Sequence, residues 1–201
     1  MTALAPTLDR LYREYNREES ADDPVHLVRP FTGTADREIA GFCAAALAFG
    51  RVGSVINSIR TLFRIMGPHP AAYVRAFDPA APHPELRAMV HRWTRGIDLV
   101  ALLWILRQML ERSGSIEGFF AEGYRPEHED VGPALDSFST RAMALDIRRA
   151  YGRTPKRPGV CYFFPRPSAG SACKRLNLFL RWMVRRDEID LGAWTAIPPS
   201  K

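Results

Sequence analysis

Residues 96–114, GIDLVALLWILRQMLERSG, are apolar almost all the way round the middle of any helix they form. A helix without a polar face belongs in an interior, so the remainder of the chain has to wrap it with amphipathic elements. The flanking sequence supplies them: apolar residues recur at helical spacing, and alternating β-branched runs are missing. Residues 7–19 form a polar amphipathic helix with Leu8, Leu11 and Tyr15 on one side. TADREIAGFCAAALAFG follows Thr34 as N-cap, carries acids in its first turn and stops at Gly50. Its Ala-rich middle permits close approach of another helix. VGSVINSIRTLFRIMG restarts after Arg51, making a helical hairpin with the preceding segment. AAYVRAF, PELRAMVHRW, SIEGFFAEGY and residues 133–150 read as further helices, and GRTPKRPGVCYFFPRP as a Pro-rich connection. The expected fold is all-α, in one domain spanning 1–201.

Its 201 residues, 46% hydrophobic and 25% charged, suffice for a buried core. The cysteines, Cys43, Cys161 and Cys173, are odd in number and form no CxxC pair, which points to a reducing, cytoplasmic setting without disulfides, zinc or an iron–sulfur cluster. No apolar run approaches the roughly 18 residues of a membrane span, so no membrane partner is expected. The five histidines are scattered without i,i+4 partners, and neither a metal site nor a cofactor is expected. HED at 128–130 reads as solvated loop, and GRVGS at 50–54 as a helix-to-helix turn, since no strand precedes it.

The net charge of +6 is concentrated in one place. Eleven Lys and Arg lie between Arg148 and Arg186 with no Asp or Glu among them, so the other 17 cations meet 22 acids elsewhere. Within this stretch PSAGSACKRLNLFLRWMVRR reads as a tight hairpin, Pro167 to Ser171, leading into a helix. At about 100° per residue, Asn177, Arg181 and Arg185 fall within about 60° of Lys174, while Leu176, Phe179, Leu180 and Met183 fall opposite. Such a helix is anchored by its apolar face and turns a cationic face outward. Its N-terminal N–H groups suit a phosphate. Lys174, placed at that end, meets the positive pole of the helix dipole, which disfavours the ammonium and favours a nucleophilic amine. A solvated basic face is the simpler account of a charged stripe; eleven cations interleaved with Tyr162, Phe163, Phe164 and Trp182 favour phosphate contact, although those aromatics also suit a core.

The runs GSACKRLNLFLRWMVRRDEIDLGAW and DREIAGFCAAALAFGRVGSVINSI closely resemble a bacterial family defined only as a domain of unknown function, from about residue 8 onward. That family resembles, more remotely, the helix-hairpin-helix (HhH-GPD) DNA glycosylases, with a flavour of the archaeal 8-oxoguanine glycosylases. The resemblance implies a two-lobed helical bundle with a hairpin-helix unit at 165–186, and base excision on duplex DNA carrying a damaged or abasic nucleotide. It makes Lys174 the catalytic nucleophile, with Ser168, Gly170, Ser171, Arg175, Asn177, Arg181 and Arg185 as nucleic-acid contacts. The helix from Glu38 to Phe49 would border the base pocket. Lys174 lies four residues beyond Gly170, where the better-known glycosylases have two. The family continues into a segment with the motif PLDTH that would supply a catalytic aspartate, so the chain is expected to be C-terminally incomplete. Asp187, Glu188 and Asp190 are the nearest acids and are expected to start or cap a short helix. Two other readings remain open: a non-catalytic DNA- or RNA-binding protein, and a helical adaptor for an acidic protein partner.

Overall fold

The chain, as described by a computed structural model covering residues 4–17 and 23–200, is mostly helical. The all-apolar segment becomes α7 (Gly96–Ser113), in which every residue from Leu99 to Leu106 is buried. Its start is fixed by Asp98, whose Oδ2 accepts the Arg95 N–H at 3.0 Å. Gly96 is required there by close approach: a Cβ would lie 2.2 Å from the Arg87 carbonyl oxygen.

Around α7 lie α1 (Ala5–Tyr15), α2 (Val25–Val28), α3 (Thr34–Leu47), α4 (Val52–Met66), α5 (Pro70–Ala76) and α6 (Pro84–Ala88) on its N-terminal side. α8 (Ile116–Ala121), α9 (Gly132–Met143), α10 (Arg148–Tyr151) and α11 (Lys174–Val184) follow it. One continuous apolar core draws on every helix except α1, which buries no residue. α3 is buried from Glu38 through Leu47 because its small side chains let neighbours close on it from several sides. α11 packs along it, and a Cβ on Gly41 would come within 2.8 Å of Met183 Cε and 3.4 Å of Phe179 Cε2, so a larger residue there requires the Met183 side chain to move. Phe42 sits at this junction, 5.1 Å from the Phe179 ring centroid and 5.6 Å from that of Phe164.

Beyond α11 the chain turns back along it. Leu191 and Gly192 donate to the Trp182 carbonyl and Trp194 N–H donates to that of Met183. The strap is locked by a buried carboxylate: Glu38 accepts from Trp194 Nε1 at 2.7 Å, from Glu117 N–H at 2.9 Å and from Ile116 N–H at 3.3 Å. Glu38 therefore joins α3, the first amides of α8, which have no partner within that helix, and the C-terminal strap. Burial raises the pKa of its carboxyl, outweighing the three donors that favour the charged form.

Several elements differ from the sequence expectation. PELRAMVHRW is helical only to Ala88; Met89 turns into an extended conformation, and Val90–His91 (β1) pairs antiparallel with Thr94–Arg95 (β2). Strands of two residues leave no periodic trace, and the hairpin is held by a buried side chain, His91, rather than by propensity. Residues 133–150 split into α9 and α10, and the Pro-rich connection contains a 3₁₀ turn at Gly159–Phe163. α3 has Gly33, not Thr34, at its N-cap. The first helix ends at Tyr15, and residues 18–22 lie outside those described. Asp187 caps a tight turn, accepting from the N–H groups of Ile189 and Asp190, and no helix follows among the described residues.

Replacing Glu38 by Gln turns one acceptor of the three-donor site into a competing donor, and is expected to destabilise the protein by about 1–3 kcal/mol in denaturant unfolding. An unchanged midpoint would show that the strap does not depend on this carboxylate.

Candidate nucleic-acid interface

The approach to α11 is a sequence of tight turns. Pro167–Ala169 form a 3₁₀ turn, Gly170 takes φ +78°, and Cys173 takes φ +49° as the N-cap of α11. A left-handed cysteine is strained, since its Cβ crowds the backbone. It is held there by burial of the side chain and by the Cys173 N–H bond to Ser171 Oγ. Among the described residues the other non-glycine with positive φ is Arg92, at φ +54° in the β1–β2 turn.

The expected contact residues fall into three groups. Ser168 and Gly170 are exposed on the turn, but the Ser168 amide already donates to Asp136 Oδ1 at 2.9 Å, and those of Gly170 and Ser171 donate to Pro167 and Arg166 carbonyls. The bonds from Ser168, side chain and backbone, hold the Asp136 carboxyl below its usual range. At the next step the amides change character: those of Lys174, Arg175 and Leu176 have no acceptor among the described residues, and no side chain caps the helix. Lys174 is exposed.

Arg175 points inward. Its Nη1 donates to the Ala46 carbonyl at 3.3 Å, its Nη2 to that of Tyr162, and its guanidinium lies 5.0 Å from the Phe49 ring centroid. Burial lowers its pKa from the ordinary arginine value. This placement differs from an outward phosphate contact: the residue caps the C-terminal carbonyls of α3 and ties α3 to the 3₁₀ turn.

Asn177, Arg181 and Arg185 do share a face, lining a cleft of about 200 Å³ with Leu180, Val184 and Ile197. Their charge is not uncompensated. Arg181 Nε lies 3.0 Å from Asp190 Oδ2 and Arg185 Nη2 lies 2.8 Å from Asp187 Oδ2, while Arg185 Nε is 3.5 Å from Asp190. Asp190 is buried, with its Oδ1 unpartnered among the described residues, and desolvation raises its pKa despite the two arginines. Burial works against ionisation of Asp187 too, but the Asp190 and Ile189 N–H groups and Arg185 hold its carboxyl below the usual range. Elsewhere in the basic stretch Arg148 pairs with Asp146 and Arg149 with Asp78. Acids distant or just outside the stretch thus neutralise part of it.

On the other side of Arg175 is a feature the sequence reading did not single out. Phe49 stacks on Trp93 (centroids 4.7 Å apart, planes 28° apart), and Trp93 meets Tyr162 edge-on at 6.5 Å. His91 holds Phe49 from beneath, with Nε2 3.0 Å from the Phe49 carbonyl oxygen and Nδ1 2.9 Å from Ser58 Oγ. A carbonyl only accepts, so Nε2 carries the proton and Nδ1 accepts from the hydroxyl. Phe49 also borders a cleft of about 270 Å³ with Asp23, Ala48, Val52 and Leu178. The available signal was HRWTR, a tryptophan flanked by arginines, but a helical reading of 84–93 hid its role.

A family model described as a protein of unknown function (DUF2400) matches residues 23–201. The chain belongs to that family. In DUF2400 terms the match takes in every element from α2 onward, including the α3–α11 pair and the interface built on it, and omits α1. Comparisons of this DUF2400 protein with curated proteins and with solved structures find no match. No helix among the described residues is long and apolar enough to cross a membrane.

Burial lowers the pKa of His91 below the ordinary 6.5. The folded state therefore binds fewer protons than the unfolded state, and the stability it contributes is present above pH 6.5 and is lost as pH falls through the lower, folded value. Thermal unfolding followed from pH 7.5 downward should show a decline below pH 6.5 that is shallower in His91→Gln. Parallel profiles would remove His91 from the account.

Proposed function

We propose that the 165–186 unit binds DNA and that the protein is a base-excision glycosylase and abasic-site lyase of the HhH-GPD type, with Lys174 as its nucleophile. The observation that carries this reading is the start of α11, where an exposed lysine is the first helical residue beside three amides that no described group accepts from. Phosphate oxygens fit such amides, in both charge and geometry. A damaged nucleotide flipped out of the duplex would present C1′ to Lys174. The free amine attacks C1′, the base leaves with its bonding electrons and a proton, and opening of the sugar yields a Schiff base. Loss of the C2′ proton then expels the 3′ phosphate. Arg181 and Arg185, held in fixed directions by Asp190 and Asp187, are suited to orient a backbone but contribute less net charge than their number indicates.

A binding-only reading draws support from one observation: Asp187 is committed to Arg185 and to turn amides, and Asp190, although its Oδ1 has no partner among the described residues, is buried beneath Arg181, so neither stands out as a second catalytic group.

Borohydride trapping on a duplex with an abasic site discriminates the two. The lyase gives a covalent adduct that Lys174→Ala abolishes; absence of an adduct, with salt-sensitive binding retained, leaves the binding protein. For either reading, log affinity for duplex should fall with log salt at a slope near −0.9 per phosphate contact. Asp190→Asn, which uncovers charge on Arg181 and Arg185, should strengthen low-salt binding and steepen that slope by about 1, at a cost in stability. A flat salt response would remove nucleic acid altogether.

A further inference from the structure

Apart from α1 and its N-cap Leu4, all the large apolar side chains that are exposed among the described residues, Val52, Val90, Trp93 and Tyr162, fall in the segments that build the aromatic cluster beside Arg175. Trp93 is 54% and Tyr162 56% exposed. Rings of this size left in water at one place mark a surface that meets a partner. The cluster is also braced from several sides. Phe49 backs Trp93, Arg175 grips the Tyr162 carbonyl and lies over Phe49, and His91 fixes the Phe49 backbone.

The charge carried by the segments that bear the rings is of one sign. Residues 49–52, 90–95, 159–163 and 174–175 contain Arg51, Arg92, Arg95, Lys174 and Arg175 and no Asp or Glu. Two acids come near: Asp98 is buried and accepts from the Arg95 amide and from the Tyr151 hydroxyl at 2.7 Å, and Asp23, in the cleft that Phe49 borders, accepts from the Val25 N–H at 3.1 Å. Arg92 lies 5.6 Å from the Trp93 ring centroid and packs across Gly50, at a φ of +54° that a glycine would adopt at lower cost. A strained arginine at the tip of a two-residue turn is accounted for if its cation serves there.

We propose that Trp93 and Tyr162, backed by Phe49, form a stacking platform for an unpaired nucleobase, with Arg92 meeting the adjoining phosphate. Exposed π-faces beside uncompensated arginines fit single-stranded DNA: each base has a face to stack, and each link carries a negative charge. The platform rests on the nucleic-acid half of the proposed function and is independent of the Lys174 chemistry. It identifies unpaired nucleotides as the preferred partner, whether in a single strand or beside a distorted site in a duplex.

The test uses two oligonucleotides of equal length and charge, oligothymidylate and a tetrahydrofuran strand that lacks bases, titrated against the full chain at fixed low salt. Trp104, Trp182 and Trp194 are buried, so quenching of the exposed indole fluorescence reports on Trp93. Oligothymidylate should quench emission and bind about 5- to 100-fold more tightly than the baseless strand. Trp93→Ala and Tyr162→Ala should each erase most of that preference, read by anisotropy of a labelled strand, whereas Trp93→Phe should retain part of it. Arg92→Gly, which relieves the backbone, should weaken both strands while thermal stability holds. Lys174→Ala should leave the preference for bases intact. Equal binding of the two strands overturns the platform while leaving phosphate binding standing. A base preference indifferent to Trp93 and Tyr162 overturns it as well. No binding of either strand overturns the platform together with the nucleic-acid reading, whereas a failed borohydride trap with the base preference intact touches the lyase alone.

Discussion

The interface depends on one desolvated cation. Arg175 is half-buried, bonding the Ala46 and Tyr162 carbonyls and covering the Phe49 ring, with no carboxylate in contact among the described residues. Carbonyls at the C-terminal end of a helix carry the negative pole of its dipole, so α3 itself supplies the counter-charge. The consequence is positional: the start of α11, the end of α3 and the 3₁₀ turn are brought to one spot. Lys174 is exposed on one side of that spot and the aromatic rings on the other. At the opposite end of α3, Glu38 does the complementary work, a buried anion that satisfies the first amides of α8 and the indole of Trp194. Two desolvated polar side chains, Arg175 half-buried and Glu38 buried, one near each end of a nearly featureless Ala-rich helix, position most of what surrounds it.

The arginines of the α11 stripe are governed by a different balance. Arg181 and Arg185 are half in water, and their partners Asp187 and Asp190 come from the turn immediately after the helix. Their acid partners are buried, so desolvation offsets much of the attraction between the charges. Their effect here is directional, since a guanidinium held from one side presents its remaining donors toward the cleft. Strain points to the same neighbourhood. Cys173 and Arg92, the two non-glycine residues with positive φ among those described, precede Lys174 and Trp93 respectively. Backbone energy is stored at both edges of the candidate interface.

Much of the fold was legible in the sequence. The α7 segment announced a buried position by lacking a polar face, and α3, α4, α5 and α8 followed their stops and apolar stripes closely. The hairpin at 90–95 was not legible, because two-residue strands have no period and the decisive interaction, His91 with Ser58 and Phe49, spans more than thirty residues. The grouping of Asn177, Arg181 and Arg185 on one face followed from helical geometry. That acids would meet two of them did not, because counting charge within a window says nothing about what folds back onto it.

By itself, the sequence determined a helical protein built around one apolar helix, and an amphipathic C-terminal helix opening with Lys-Arg. Those are consequences of local spacing, which a 3.6-residue repeat expresses directly. Only the tertiary structure decided which of two adjacent cations faces water and which turns inward, that Trp93 lies against Phe49 and Tyr162, and that Asp190 is sealed beneath Arg181. Each of these depends on contacts between segments far apart in the chain, where desolvation and packing outweigh local preference.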